Sequence, residues 1–490
     1  MIPSQVANRT AAHGFWVLIA SLLGYLIATQ PVNNVIELLA VLVLVLLAII
    51  TPLTPLVALL ILAPLRTLIA TEAPSQFPFD IGQVGFAGFL LSYALFRAVR
   101  QQQIVNFTWT PLYLLLGIFL VLSGLSAFNA TSLTAWLNEW LKWAQMVVLI
   151  GLVMNLADAG KWQWLIFGLI AAGLANALIG GYEFLGGSGA LHLAINDRFF
   201  RAFGTFGQPN PFGGFMGLLL PLALMATLGY GLRLWRQWQE NLRIDRVSCF
   251  AMLFYLVASI ILLVGIAVSW SRGAWLGFIA SLAVLALALP RKASQSAVLI
   301  VLLATFLTVV LSTGLLPQSV INRVNSATEE YFTFTDVRGV NITSDNYPVV
   351  ERLAHWQAAL AIASSHPWLG VGLGNYEAVY PDYRLINWHF PLGHAHNYYL
   401  NILAEAGIIG LLGYGKLWLG TLWLTWRARQ HPDPLARLVA IGLLGSWIYL
   451  SVHSLFDNLY VNNLFVHIGL MLGLLAVLYN QTWKHHKVGI

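Results

Sequence analysis

The sequence contains few charged residues and a single cysteine. Only 9% of its 490 residues are charged, whereas soluble chains carry about 25%. So few charges cannot cover the surface of soluble domains, and a chain that is 59% apolar is not disordered either. The single cysteine, Cys249, excludes an intramolecular disulfide and a cysteine-based metal site. The sequence therefore predicts an integral membrane protein held together by helix packing.

Long apolar runs are abundant instead. A run of about 17 to 25 apolar residues is long enough to cross the hydrocarbon core of a bilayer as a helix. We predict spans near 14–29, 35–50, 53–70, 81–96, 111–127, 133–154, 162–185, 210–230, 250–268, 273–289, 295–316, 398–426, 435–456 and 461–480. The second and third could form one re-entrant pair, because the join between them is short and rich in proline. The predicted fold class is an all-α, polytopic transmembrane bundle of about 12 to 14 spans.

The net charge of +6 raises the question of a nucleic-acid partner. Polytopic proteins gather Lys and Arg in their cytoplasmic loops, however, and alternating the spans from a cytoplasmic N-terminus agrees with that rule throughout. Membrane topology thus accounts for the basic balance, and no nucleic acid is predicted. Both termini are expected to be cytoplasmic.

Four regions follow from this topology. Residues 1–200 form N-terminal transmembrane helices, and residues 201–316 form further spans with outward-facing arginine motifs. Residues 317–396 are the only sizeable polar segment, with charges of both signs, and are expected to form an ordered domain outside the membrane. Residues 397–490 form the C-terminal spans.

Three outward-facing arginines require an explanation. Arg201 opens the stretch RAFGTFGQPNP, where the start of a helix could meet an anion, although contact with a lipid headgroup explains it equally well. Arg272 lies in SWSRGAWLG between two long apolar spans. A guanidinium at the bilayer centre costs about 2.5 to 3.5 kcal/mol, so an anionic ligand there is the better interpretation. Arg352 begins an amphipathic stretch, and in a helix it would share one face with His355, Trp356 and Ala359. The arginine would then project beside an aromatic surface suited to a lipid or a sugar ring.

The segment LGHAHNYYLNILAEAG carries two histidines at the predicted mouth of a span, His394 and His396. An imidazole with a reference pKa near 6.5 can accept a proton from a hydroxyl at neutral pH. The alternatives are a metal site, for which neither a cysteine nor an acidic pair nearby completes the shell, and a purely structural role.

The run HPWLGVGLGN contains three alternating glycines, Gly370 to Gly374. No strand precedes it, so we interpret it as a tight packed turn rather than a nucleotide loop. As a turn between helices it could also let the Arg352 helix move as a lid.

Together these motifs resemble the O-antigen ligase and polymerase superfamily. The resemblance runs from about Arg201 to Asn458, through GTFGQPN, SRGAWLG, the Glu351-Arg352 pair with Trp356, HPWLGVGLGN, HNYYLNILAEAG and HSLFDN. It implies a bacterial inner-membrane protein with a periplasmic active site. The implied activity is an inverting, metal-independent transfer of a glycan from an undecaprenyl diphosphate donor to an acceptor hydroxyl on a glycolipid or glycan, without a cofactor.

The resemblance also implies roles for individual residues. Arg272 and Arg201 would hold the donor diphosphate, Arg352 would assist, and His396 would be the general base. Further candidates for substrate binding within the same motifs are Asn210, His394 and Asn397.

Two other functions stay open at this level. A polysaccharide polymerase of the same superfamily would need the same base and the same diphosphate site. A small-solute transporter of the bicarbonate type resembles some of the same motifs, but the polar motifs concentrate at one face of the predicted bundle, whereas transporters place ionisable groups near the midplane.

Overall fold

The computed structural model describes residues 51, 53–67, 81–103, 106–156, 161–187, 193–195, 199–314, 318–323, 336–343 and 346–488. Helices dominate this part of the chain, which confirms the predicted all-α class. The strands in it are β1 (Ala194–Ile195) and β2 (Phe199–Phe200), which form a short antiparallel hairpin. Two predicted spans, 14–29 and 35–50, lie outside the described residues.

The other twelve predicted spans each coincide with a helix. In chain order the long helices are α1 (Leu53–Leu62), α2 (Ile81–Val99), α3 (Pro111–Gly124), α4 (Leu133–Leu156), α5 (Trp162–Tyr182), α6 (Pro209–Gln239), α7 (Arg246–Ser269), α8 (Arg272–Ala288), α9 (Ala293–Ser312), α10 (Tyr347–Ser365), α11 (Tyr376–Tyr383), α12 (Tyr398–Ala428), α13 (Pro434–His453) and α14 (Leu464–Val488). Nine helices of the described part are long and apolar enough to cross a membrane, namely α2, α3 with its 3-10 extension, α5 with its π-helical end, α6, α7, α9, α12, α13 and α14. The apolar helices Leu53–Leu65 and Arg272–Ala288 are shorter.

Two compact units divide the chain. One comprises Met1–Leu56 and Phe86–Ile104, of which the structure describes the beginning of α1 and most of α2. The other comprises Val57–Gly85 and Val105–Ile490 and contains all the predicted site residues.

The centre of the second unit is built around α6, α13 and α14. The apolar windows of these helices are 72%, 78% and 83% buried, whereas that of α9 is only 6% buried. Helix α6 packs against α7 and α13, α8 packs against α13, and α14 packs against α4. Glycines permit the closest approach: the Tyr449 hydroxyl donates to the Gly213 carbonyl at 2.9 Å across the α6–α13 interface.

Helix α12 is broken close to its start. Gly407 has φ 66° and ψ −170°, so a short first segment joins a longer second one at an angle. A side chain at Gly407 would collide with the backbone of Trp368. The predicted span 398–426 is therefore two helical segments, and the first belongs with the polar segment that packs on it.

The predicted polar segment contains α10 and α11, which pack on each other and on α12. The face of α10 that carries Trp356 and Ala359 is buried against Val337, Trp388 and the start of α12, so it forms the core of the segment. The prediction that Trp356 offers an open aromatic surface to a ligand is therefore wrong. Its indole packs instead among the other buried apolar side chains of the segment and is only 8% exposed.

The glycine turn 370–374 is anchored rather than hinged. Its three glycines all have positive φ, and the N–H groups of Val371 and Gly372 donate to carbonyls of α12 at 3.1 and 2.9 Å. The Asn129 side chain bonds the Gly370 carbonyl at 3.0 Å. The interpretation as a tight packed turn fits this geometry, whereas the expectation that the turn acts as a hinge does not.

Gly372→Ala is expected to lower the free energy of unfolding by about 2 to 4 kcal/mol, because strain at positive φ adds to overpacking. The new Cβ would lie 2.7 Å from the Ala130 Cα, and that backbone cannot move aside. Thermal unfolding in detergent measures the change. Gly339→Ala is the matched control, since Gly339 also has positive φ but no atom lies within 4 Å of its Cβ position. Equal effects of the two substitutions would contradict the packed turn.

Candidate active site

A cavity of about 260 Å³ opens where several helix ends meet. Five of the seven predicted site residues line it, and Arg323 joins them from the helical turn 318–323. We call it the arginine cavity; the predicted residues in its wall are Arg201, Asn210, Arg272, Arg352 and His396. Residues almost 200 positions apart in sequence therefore meet at one site.

Arg272 is positioned by the tight turn between α7 and α8. Trp270 ends α7 in the left-handed conformation, with φ 55°, and Ser271 then caps α8 by accepting a hydrogen bond from the Ala274 N–H at 3.4 Å. Arg272 is consequently the first residue of α8, and it is only 6% exposed. A guanidinium and a helix N-terminus at the same place both favour an anion.

Arg201 and Arg323 bracket this turn. The Arg201 Nε donates to the Ser269 carbonyl at 3.2 Å, and an Arg323 Nη donates to the Trp270 carbonyl at 3.2 Å. Arg201 also donates to the Asn210 side-chain oxygen at 3.3 Å. Hydrogen bonds thus orient the planes of both guanidiniums at the cavity wall, and Asn210 serves to orient Arg201.

The charges in the cavity wall do not balance. Among the described residues of the wall, four arginines stand beside one carboxylate, Glu351. The Glu351 side chain also accepts a hydrogen bond from the Tyr347 hydroxyl at 3.1 Å. Planar guanidiniums bind phosphate oxygens in bidentate fashion, so the cavity suits a ligand with at least two negative charges, such as a diphosphate.

His396 and His394 share one buried carboxylate. The His396 Nδ1 and the His394 Nε2 each lie 3.6 Å from the same oxygen of Asp457, in the loop after α13. Burial by itself raises the pKa of the Asp457 carboxyl, but its contact with His396 and the charges of the surrounding histidines lower that pKa below its ordinary value. Asp457 is therefore ionised at neutral pH. Its aspartate can orient the His396 ring and stabilise the imidazolium that forms when the ring takes a proton.

His355 of α10 supports the His396 ring from another side. The two rings lie edge to face with centroids 5.7 Å apart, and the His355 Nδ1 hydrogen-bonds the Tyr376 hydroxyl at 3.0 Å. Burial, together with the neighbouring histidines, lowers the pKa of His355 to about 3. His355 is therefore a neutral packing partner at physiological pH.

The three groups His394, His396 and Asp457 also have the donor types of a metal site, with their ligand atoms within 4.8 Å of one another. Asp457 lies 61 positions after His396, so the sequence around the histidines shows no acidic ligand. The hydrogen bonding argues against a metal on other grounds. The His396 backbone N–H donates to the His394 Nδ1 at 3.1 Å, and burial lowers the pKa of His394 to about 4, so its proton resides on Nε2. A metal bound to the His394 Nε2 would require the ring proton to reside on Nδ1. That proton would then point at the His396 backbone N–H, which is itself a donor.

Two predicted substrate contacts lie elsewhere. Asn397 caps α12: its side-chain oxygen accepts from the N–H groups of Tyr399 and Leu400, both at 3.1 Å, and it lines neither the arginine cavity nor its neighbour. Asn397 is therefore the N-cap of α12, directly after His396. The geometry does not support the prediction that Asn397 contacts the substrate. His394 lines a second cavity beside the first.

Sequence reasoning missed Arg323 and Asp457. Arg323 stood among the mixed charges of the polar segment with no motif around it. Asp457 lies in HSLFDN, a motif that contributed to the family resemblance but to which no role was assigned. An isolated acidic residue between two predicted spans is a signal that could have identified it. Arg323 lies 53 positions from Trp270, whose carbonyl it contacts, and Asp457 lies 61 positions from His396.

The family model described as O-antigen ligase matches residues 257–415, which confirms the resemblance in this part of the chain. The match includes Arg272, Arg323, Arg352 and both histidines, whereas Arg201 and Asp457 fall outside it. No curated protein matches the chain.

Proposed function

We propose that this protein transfers a glycan from an undecaprenyl-diphosphate-linked donor to an acceptor hydroxyl, and the match of residues 257–415 to the O-antigen ligase family model supports this proposal. The observation that carries the proposal is the arginine cavity, whose wall contains four arginines and His396. The His396 ring in turn contacts the buried carboxylate of Asp457. A lipid-linked diphosphate is already an activated leaving group, so positioning and charge are what the protein must supply.

The arginines act on the leaving group. As the anomeric C–O bond breaks, negative charge grows on the diphosphate, and the guanidiniums of Arg201, Arg272, Arg323 and Arg352 stabilise that charge. Their hydrogen bonds to the α7–α8 turn hold Arg201 and Arg323 in place beforehand, so little reorganisation accompanies the reaction. No metal is required for this step.

His396 acts on the acceptor. With Nδ1 next to Asp457, its Nε2 is the nitrogen that accepts the proton of the acceptor hydroxyl as the hydroxyl oxygen attacks the anomeric carbon. The attack displaces the diphosphate from the opposite side and inverts the anomeric configuration. The proton then resides on an imidazolium that Asp457 stabilises.

The site would face the periplasm of a bacterial inner membrane. The arginine cavity lies at the starts of α6, α8 and α12 and at the end of α7, which the positive-inside rule assigns to the outer side. The opposite helix ends carry the arginines and lysines of the predicted cytoplasmic loops. A site at one end of the bundle favours a transferase over a transporter, which binds its solute near the midplane.

Deleting the gene and separating surface polysaccharide on a gel tests the proposal and its main alternative. A ligase predicts loss of all long chains from the acceptor, whereas a polymerase predicts chains of a single repeat unit. An unchanged polysaccharide profile, together with normal transfer by extracted membranes, would reject both. Fusions that report the polar segment in the cytoplasm would also reject the proposal, because the lipid-linked glycan is presented outside.

Asp457→Asn is expected to lower kcat by roughly 10²-fold or more, by analogy with the loss of the orienting aspartate in hydrolytic triads. The asparagine keeps the oxygen that accepts from the Asn458 N–H at 2.8 Å, so the loop retains its shape. The donor KM should stay the same, because the arginines are untouched. Asp382→Asn, on the exposed side of α11, is the control. A rise in donor KM with unchanged kcat would contradict an orienting role.

A further inference from the structure

A second cavity of about 460 Å³ adjoins the arginine cavity, with Gln208 and Leu392 in the walls of both. Its character is different. Among the described residues of its wall, the formally charged ones are Glu139 and Lys142 of α4, which pair with each other at 2.5 Å and so cancel. We call it the neutral cavity.

Amide, hydroxyl and aromatic groups make up much of the rest of its wall. The Thr67 hydroxyl donates to the Asn462 side chain at 2.9 Å, which in turn donates to the Phe206 carbonyl at 3.3 Å, so this part of the wall is preorganised. The Asn458 oxygen accepts from the Tyr460 N–H at 2.8 Å, which leaves its amide nitrogen for a ligand. Uncharged hydrogen-bonding groups beside aromatic rings suit a saccharide, and the volume falls within the range of small-ligand sites.

The position of the neutral cavity relative to the base identifies the reactant. His394 lines the neutral cavity, His396 lines the arginine cavity, and both contact the same oxygen of Asp457. In an in-line displacement the acceptor hydroxyl approaches the anomeric carbon from the side opposite to the diphosphate. The acceptor must therefore reach His396 from a direction other than that of the arginines.

We infer that the neutral cavity binds the acceptor, as an uncharged saccharide whose hydroxyl reaches His396 past Gln208 and Leu392. The inference rests on the proposed function for the direction of attack. The other source of a saccharide at this place is the glycan of the donor itself, and the two sources predict different kinetics.

Val461→Phe tests the inference by narrowing the neutral cavity while every arginine and histidine of the site keeps its identity. Cells that lack the gene supply both purified substrates, the unused lipid-linked donor and the unmodified acceptor. The acceptor KM should rise about tenfold or more, while kcat and the donor KM stay within twofold. Val340→Phe, on an exposed part of the polar segment, is the matched control and should change nothing. A selective rise in donor KM would assign the cavity to the donor glycan, and unchanged constants would remove both assignments.

Hydrogen exchange separates this inference from the proposed function, because it needs no turnover. The purified acceptor should protect residues 458–462, and undecaprenyl diphosphate alone should protect the turn 269–273. The Val461→Phe variant should lose the first protection and keep the second, which also demonstrates that it folds. Acceptor protection without any transfer would reject the proposed function and leave the neutral cavity in place. Absence of acceptor protection in the unmodified protein would overturn the inference.

Discussion

Arg272→Lys is expected to lose transfer nearly as completely as Arg272→Ala, with a fall of about 10²- to 10³-fold in kcat, the loss typical of removing one preorganised donor of a charge-stabilising site. An ammonium keeps the charge but lacks the planar fork that spans two phosphate oxygens. Arg272 is the first residue of α8 and is almost buried, so its guanidinium has a fixed orientation. The lysine ammonium cannot reproduce that orientation. Initial rates with a lipid-linked donor in detergent or nanodiscs measure the loss.

Arg338→Lys provides the comparison, since Arg338 is exposed and paired with Asp336 away from the cavity. It should keep full activity. Full activity in Arg272→Lys would remove the bidentate argument and reduce the arginine cavity to a general positive field. Arg201→Lys should fail as well, because its guanidinium also bonds Ser269 and Asn210, and a lysine cannot make both contacts.

His396→Ala is the second substitution with a large expected effect. Removing a general base costs about 10²- to 10⁴-fold in rate, whereas expression and membrane insertion should persist because the side chain supplies a proton acceptor rather than core volume. His396 has φ 53°, which alanine adopts with some strain. His396→Asn tolerates that conformation and should be equally inactive, which separates lost chemistry from backbone strain.

His394→Ala should be milder, because His394 acts through Asp457 and lines the neighbouring cavity. His389→Ala, at an exposed position of the same loop, controls for the loss of a histidine. If the His394 and His396 variants lost activity equally, and activity also disappeared with a chelator and returned with a divalent ion, the His394-His396-Asp457 group would be a metal site. The hydrogen bond from the His396 N–H to the His394 Nδ1 is the observation that makes us expect otherwise.

The apolar runs were sufficient to predict the helices. Each of the twelve spans predicted within the described residues coincides with one, because a bilayer leaves a spanning chain no other way to pair its backbone groups. The motifs around Arg201, Arg272, Arg352 and His396 were readable for a related reason: charged or titratable groups beside apolar spans are costly, and they stand out. These four residues do line one cavity.

Only the tertiary structure decided which of these helices are central and which groups complete the site. Helix α9 is more apolar than α14, with a mean hydropathy of 2.2 against 1.7, yet its apolar window is 6% buried and that of α14 is 83% buried. Packing inside a membrane follows shape and small residues rather than hydrophobicity. Asp457 stands 61 positions after His396 and Arg323 stands 51 positions after Arg272, so no local pattern links them. The sequence by itself determined the all-α membrane class and most of the residues that line the arginine cavity. The folded chain decided which aspartate contacts the histidine, which arginines share a cavity, and that the glycine turn is an anchor.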